Sequence, residues 1–200
     1  MQLRMIFLGL ALALPISCSE AGAPKPDTLP AMRWDFRPEA EIWTQKTLLA
    51  VAENDPQLTM TVPSDIETWC PGYPEASVEE RRAFWSGILS ALAKHESTWN
   101  PLASGGGGRW IGLTQIAPGT ARAHGCDATS TGALKDGGAN LTCAVEIVAK
   151  QVSRDQMVAG NGRFGLGRDW APFRNANKRA DMAAWTRVQP YCQKKGGLRG

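Results

Sequence analysis

The chain has 200 residues, 43% of them hydrophobic, with a formal net charge of +3, which is enough apolar material for one domain with a real core and some flanking chain. The charge is uneven: residues 19–67 carry nine acidic and four basic side chains, whereas residues 168–200 carry eight basic and two acidic. A basic carboxy-terminal face suits a polyanion, but no motif interleaving basic and aromatic residues accompanies it, which argues against nucleic acid; no cofactor motif is present either.

Arg4 precedes an apolar run from Met5 to Ser17, too short to cross a bilayer as a helix and the right length for the core of a secretory signal. Leu14-Pro15-Ile16-Ser17-Cys18 looks like a lipobox with proline where an aliphatic residue is usual. Lipid modification at Cys18, anchoring the protein to a membrane, and ordinary cleavage near Ser19 or Ala21 are the two readings. Both make residues 1–18 an export signal and place the protein in the periplasm. Residues 19–37, rich in Pro, Ala and Gly, read as a linker. From Pro38 to about Asn54, Ile42, Leu48, Leu49 and Ala52 recur at helical spacing and predict an amphipathic helix that packs on the main domain through those residues. Prolines at 56, 63, 71 and 74 make the next stretch an irregular connector, so residues 38–76 form a helical extension ahead of the main domain.

Either export route leaves Cys70, Cys126, Cys143 and Cys192, an even set suited to an oxidising compartment. Of the three pairings, the favoured one joins Cys126 to Cys143 across a loop between two predicted helices and Cys70 to Cys192 at the domain's ends. Metal is not expected, because no C-x-x-C pair exists and the two histidines, His95 and His124, are isolated.

The main domain opens at Ser77, where Ser77 and Glu80 have the spacing of a reciprocal capping box. Trp85, Leu89 and Leu92 then fall on one helical stripe, with Phe84 and Ile88 beside it, and four residues further the stripe reaches Glu96. Desolvation among apolar neighbours and the negative end of the helix dipole would both raise the pKa of that carboxyl. An acid that keeps its proton near neutrality can donate it to a leaving oxygen. Periodicity alone is equally compatible with a solvated Glu at a helix end.

The residues that follow decide between these readings. Glu96-Ser97-x-x-Asn100-Pro101, a run of four glycines at 105–108, and Gly112-Leu113-Thr114-Gln115-Ile116-Ala117-Pro118-x-Thr120-Ala121 resemble the soluble lytic transglycosylase (SLT) domain, a relative of goose-type lysozyme. The resemblance implies a mainly α, lysozyme-like domain with a substrate groove, placed here over residues 77–192; the basic residues at 193–200 read as a tail. It implies that Glu96 is catalytic, that Ser97 and Gln115 bind or orient substrate, and that Gly112 is a close-packing position. Thr114 replaces the family's usual Met and is expected in the groove floor.

Pro118 to about Gly125 reads as a short helix with proline in its first turn. Leu141, Ala144, Val145, Val148 and Val152 predict a long helix from Ala139 to about Gln156, with Gly137 and Gly138 just outside its start. Asn140 matches an asparagine in the family's corresponding helix. The family's downstream A-Y-N-A-G tyrosine is missing, for the only tyrosines are Tyr73 and Tyr191; Gly160-Asn161-Gly162 and the segment around Trp170 and Arg174 stand there instead. Trp170 would stack on a sugar and Arg174 would meet a carboxylate, or the two are a core Trp and a surface Arg. A last helix is predicted from about Lys178 to Val188, with Met182 and Trp185 inward.

The resemblance implies cleavage of peptidoglycan glycan strands at the β-1,4 bond between N-acetylmuramic acid and N-acetylglucosamine, forming a 1,6-anhydro end. Glu96 would act first as acid and then as base. An ordinary glycosidase needs two carboxyl groups, and only Glu96 occupies a recognisable position, with Asp169 and Asp127 the alternatives for a second. A hydrolytic muramidase and an inactive peptidoglycan-binding protein are the rival readings.

Overall fold

A computed structural model describes residues 29–196; the export signal, the lipobox at Cys18 and the end of the basic tail lie outside the described residues. The fold is mainly helical. Helix α1 (Ala40–Glu53), the short α2 (Ile66–Trp69) and α3 (Val78–Ser97) are followed by a two-stranded hairpin, β1 (Ser104–Gly105) and β2 (Trp110–Ile111). Then come α4 (Pro118–His124), α5 (Gly137–Asp155), α6 (Ala171–Arg174) and α7 (Ala176–Arg187). The hairpin is antiparallel, pairing Ser104 with Ile111 and Gly105 with Trp110.

Helix α3 is the axis of the molecule. Its capping box is formed: the Ser77 hydroxyl accepts from the Glu80 amide, and Glu80 accepts from the Ser77 amide. Every residue from Ala83 to Ala93 is buried, because α1 lies on one side of the helix and α7 on another. The single stripe expected from the sequence is therefore a helix buried all round. Such burial needs small residues where neighbours come close: a Cβ at Gly87 would lie 2.3 Å from the Tyr191 hydroxyl oxygen.

The face of α1 differs from the expected one. Ile42 and Leu49 are exposed, while Trp43, Thr44, Thr47, Ala50 and Val51 are buried. Trp43 sets the rotation. Its ring stands edge-on to Trp34, and its indole nitrogen would lie 2.3 Å from a Cβ at Gly137, so α5 begins with a glycine that lets α1 approach. Thr47 is tolerated in the core because its hydroxyl donates to the Trp43 carbonyl.

The linker expected at 19–37 ends earlier than its composition suggests. Met32 and Trp34 are buried, the Trp34 indole donates to Thr44, and the Arg33 amide donates to the Ser90 hydroxyl. Polar composition around two anchoring apolar residues hides a strap packed across α3. Both tyrosines are core residues: Tyr73 donates to the Leu58 carbonyl and accepts from the Trp85 indole, and Tyr191 donates to the Ala31 carbonyl.

Disulfides join Cys70 to Cys192 and Cys126 to Cys143, with Cα separations of 4.6 and 5.1 Å. The first ties the connector before α3 to the turn after α7, across 122 residues of chain. Helix α5 starts at Gly137, two residues before the predicted start, because Asp136 caps it through the Ala139 amide. Helix α7 likewise starts at Ala176 under an Asn175 cap. The first residues of the tail are paired, Lys194 with Glu67 and Lys195 with Glu80.

Candidate active site

Glu96 is the penultimate residue of α3. The helix cannot run on, since Thr98 and Trp99 both take left-handed conformations, at φ 52° and 55°, and Asn100-Pro101 follows. Two consecutive non-glycine residues in that region store local strain. The Trp99 indole, donating to the Ser90 carbonyl, holds the reversal down.

Burial pushes the Glu96 carboxyl up from an ordinary 4.5 to about 7; the positive charges of Lys178 and Arg174 act in the opposite direction and are outweighed. Its two predecessors on the helix are engaged elsewhere. Asp181 on α7 accepts from Lys94 and His95, and from both terminal nitrogens of Arg33 at 2.7 and 3.0 Å. Hydrogen bonds from Arg33, His95 and Lys94 hold the Asp181 carboxyl well below the usual carboxylate range, Arg33 contributing most. Burial is the main cause that pushes His95 down. Lys94 and His95 thus clamp α3 to α7, and Glu96 is left as the one ionisable side chain of that turn outside the clamp.

The wall opposite the helix end is the turn from Ile111 to Ile116, held from three elements. From α3, the Ser97 hydroxyl donates to the Leu113 carbonyl at 2.8 Å. From α5, the fully buried Asn140 donates to the carbonyls of Ile111 and Leu134, both at 3.0 Å, and accepts from the amide and hydroxyl of Thr114 at 2.9 and 2.7 Å. From the segment before α6, the Trp170 indole donates to the Thr114 carbonyl at 2.8 Å. Gly112 has φ 80°, and a Cβ there would lie 2.2 Å from the Leu134 carbonyl oxygen and 2.3 Å from Asn140 Nδ2, so only glycine fits. Gln115, itself at φ 52°, donates its carboxamide to Gly112 and Ala103 carbonyls.

The profile of the "Transglycosylase SLT domain" family matches residues 75–180, more than half of the chain. The chain belongs to this family. Among solved structures, wild-type DslA superimposes with a TM-score of 0.74 at 27% identity, covering 82% of this chain and 98% of that one. Two DslA variants, each with a glutamate replaced by glutamine, give TM-scores of 0.72 at 28% and 25% identity, covering 80% and 82% of this chain and 95% and 99% of theirs. No match was found among curated proteins.

Within this SLT domain, two of the residues expected to face a ligand are buried. Thr114 is fully buried with its hydroxyl spent on Asn140, so it lies beneath the groove floor rather than in it. Trp170 is 3% exposed and braces the turn from below, which leaves it no face on which a sugar could stack. Ser97 acts on Leu113 and so ties two walls together. Arg174 is exposed; it donates to the carbonyls of Gly167 and Arg168, and its charge reaches Glu96.

The loop where the family's tyrosine is missing is pinned by two carboxylates. Asp65 accepts from the amides of Val158, Ala159 and Gly160, and Asp155 accepts from the Gly165 amide and the Arg168 guanidinium. A Cβ at Gly162 would lie 2.4 Å from the Phe173 carbonyl oxygen and 2.8 Å from the Arg174 Cα, so this loop abuts the Arg174 segment. Of the alternative carboxylates, Asp169 accepts from Gln151, and Asp127 is exposed beside the Cys126–Cys143 disulfide.

Sequence reasoning missed Lys178, Asp181 and Arg33. Each acts on the end of α3 from a distant part of the chain, and no local spacing announces such pairings. Asn140 carried a signal, a polar residue inside an otherwise apolar helical stripe, without showing that it spans the turn and the Leu134 carbonyl.

Proposed function

We propose that the protein is an exported lytic transglycosylase that cleaves the β-1,4 bond between N-acetylmuramic acid and N-acetylglucosamine in peptidoglycan. Glu96, protonated near neutral pH, donates its proton to the glycosidic oxygen as the bond to the muramoyl anomeric carbon breaks. The resulting carboxylate then takes the proton of the muramoyl 6-hydroxyl, whose oxygen closes on that carbon to form the 1,6-anhydro ring. Glu96 ends protonated, and no water is consumed.

One observation carries this reading: a carboxyl that burial raises to about 7, on the residue next to Ser97, which with Asn140 and Trp170 holds the turn from Ile111 to Ile116. A retaining hydrolase would place a second carboxylate about 5 Å away. The charges acting on Glu96 are instead the cations Lys178 and Arg174, and residues 97–126 contain neither Asp nor Glu. Those cations suit the carboxylate that exists between the two proton transfers, and an anionic substrate beside it. Gln115 orients the saccharide from the turn, Gly112 lets the turn close on α5, and Arg174 meets a lactyl or peptide carboxylate.

Two disulfides in a small SLT domain are consistent with export and association with the cell wall. An amino-terminal signal within residues 1–18, with Cys18 lipidated or removed, completes the reading. The catalytic unit at 77–192 is preceded by the 38–76 extension, which shares its core.

Mass spectrometry of fragments released from purified murein tests the reaction. Fragments ending in 1,6-anhydro-muramic acid are expected. Reducing ends would mean hydrolysis, with Asp169 the first carboxylate to replace, and release of nothing by a protein that still binds murein would leave the inactive binding protein.

A further inference from the structure

The hairpin carries one large aromatic residue that the reaction above leaves unused. Side chains alternate along β2: Ile111 is fully buried, and its neighbour Trp110 is 43% exposed. An indole at a hairpin tip would ordinarily be loose, but this one is seated. Its six-membered ring packs against Gly106 so closely that a Cβ there would lie 2.1 Å from Cζ3 and 2.3 Å from Cε3. Gly106, Gly107 and Gly108 all have positive φ, so the glycine run both turns the chain and makes room for the ring. The Arg109 guanidinium lies 5.1 Å from the ring centroid.

The hairpin also joins this indole to the candidate site. Gly105, the pairing partner of Trp110, sits between it and Gln115. A Cβ on Gly105 would lie 2.4 Å from the Gln115 carboxamide oxygen and 3.9 Å from Trp110 Cε3. One glycine therefore separates the exposed ring from the Gln115 carboxamide on the turn that Ser97 holds.

We propose that Trp110, with Arg109 beside it, forms a carbohydrate subsite that stacks a pyranose ring of the glycan strand and meets an anionic substituent on it. The inference rests on the peptidoglycan reading above. A pyranose presents an apolar C–H face with polar edges, which suits a rigid ring that loses little freedom when covered. The guanidinium keeps its charge at any working pH and forms paired hydrogen bonds with a carboxylate, a group that the lactyl ether and the peptide stem both supply.

Binding is measured in a Glu96→Gln background, so that strands are not cut, by sedimentation with insoluble purified murein. Trp110→Ala is expected to weaken binding about threefold to tenfold, and Trp110→Phe to keep most of it. Arg109→Gln should weaken binding to murein while leaving binding to uncharged chitooligosaccharide unchanged. Because the ring lies outside the core, both Trp110 variants should unfold at the parent's temperature. Equal murein affinity of Trp110→Ala and its parent, with wild-type protein releasing anhydro products, overturns the subsite and leaves the reaction standing. Absence of murein binding in parent and variant alike overturns both.

Discussion

Replacing Glu96 with glutamine should stabilise the protein at pH 8 and leave its stability at pH 4 unchanged. The native carboxyl titrates at about 7 against an ordinary 4.5, so between those values the folded protein keeps a proton that the unfolded chain has released. Stability then falls as pH rises through this window, and the whole penalty is present above pH 7. At about 1.4 kcal/mol per pH unit the interval corresponds to about 3 kcal/mol, which residual solvent access at the groove reduces to about 2 kcal/mol. For a domain of this size that is a rise of about 4–8 °C in Tm. Glutamine keeps the shape and carries no charge, so the difference isolates ionisation. Urea unfolding of both proteins, disulfides intact, followed by tryptophan emission at pH 4, 6 and 8, gives the measurement. A difference that stays constant across those pH values would refute a carboxyl held protonated by burial, and with it the acid step of the proposed reaction.

Activity of the wild type should decline as pH rises past about 7, following loss of the Glu96 proton, and Glu96→Gln should abolish lysis while retaining murein binding. Asp181→Asn should lower Tm at pH 7; because the native Asp181 carboxyl is held well below its ordinary 3.8, that stabilisation is present above about pH 4 and is lost progressively on acidification, so the gap between the thermal melts of variant and wild type should narrow steadily as pH falls below about 4. Asn140→Leu leaves the Leu134 carbonyl and the Thr114 amide and hydroxyl without their Asn140 partner, which should cost about 2–4 kcal/mol in chemical denaturation and reduce kcat by displacing the turn. Loss of Cys70–Cys192, which closes 122 residues of chain, should cost about 4–5 kcal/mol, and loss of Cys126–Cys143, which closes 17, about 3 kcal/mol; unfolding of paired serine variants ranks them.

Short-range chemistry determined a good part of this protein in advance. The Ser77–Glu80 cap, the apolar run into Glu96 and the Asn100-Pro101 stop act within a turn or two of helix. Gly112 could be matched because its motif is compact, and Asn140 because the family's corresponding helix carries an asparagine. What neighbours a side chain meets was decided only by tertiary structure. Trp43 turned α1 away from its most obvious apolar stripe because Trp34 and Gly137 stand opposite it. Trp170 and Thr114 went under the turn because their polar atoms found partners there. Glu96 acquired its raised pKa from burial by elements far along the chain, and Lys178 and Arg174 reached it from the α6–α7 segment. Local pattern sets where a helix starts, stops and points; desolvation and charge at its end depend on every element packed around it, and those contacts exist only once the chain has closed on itself.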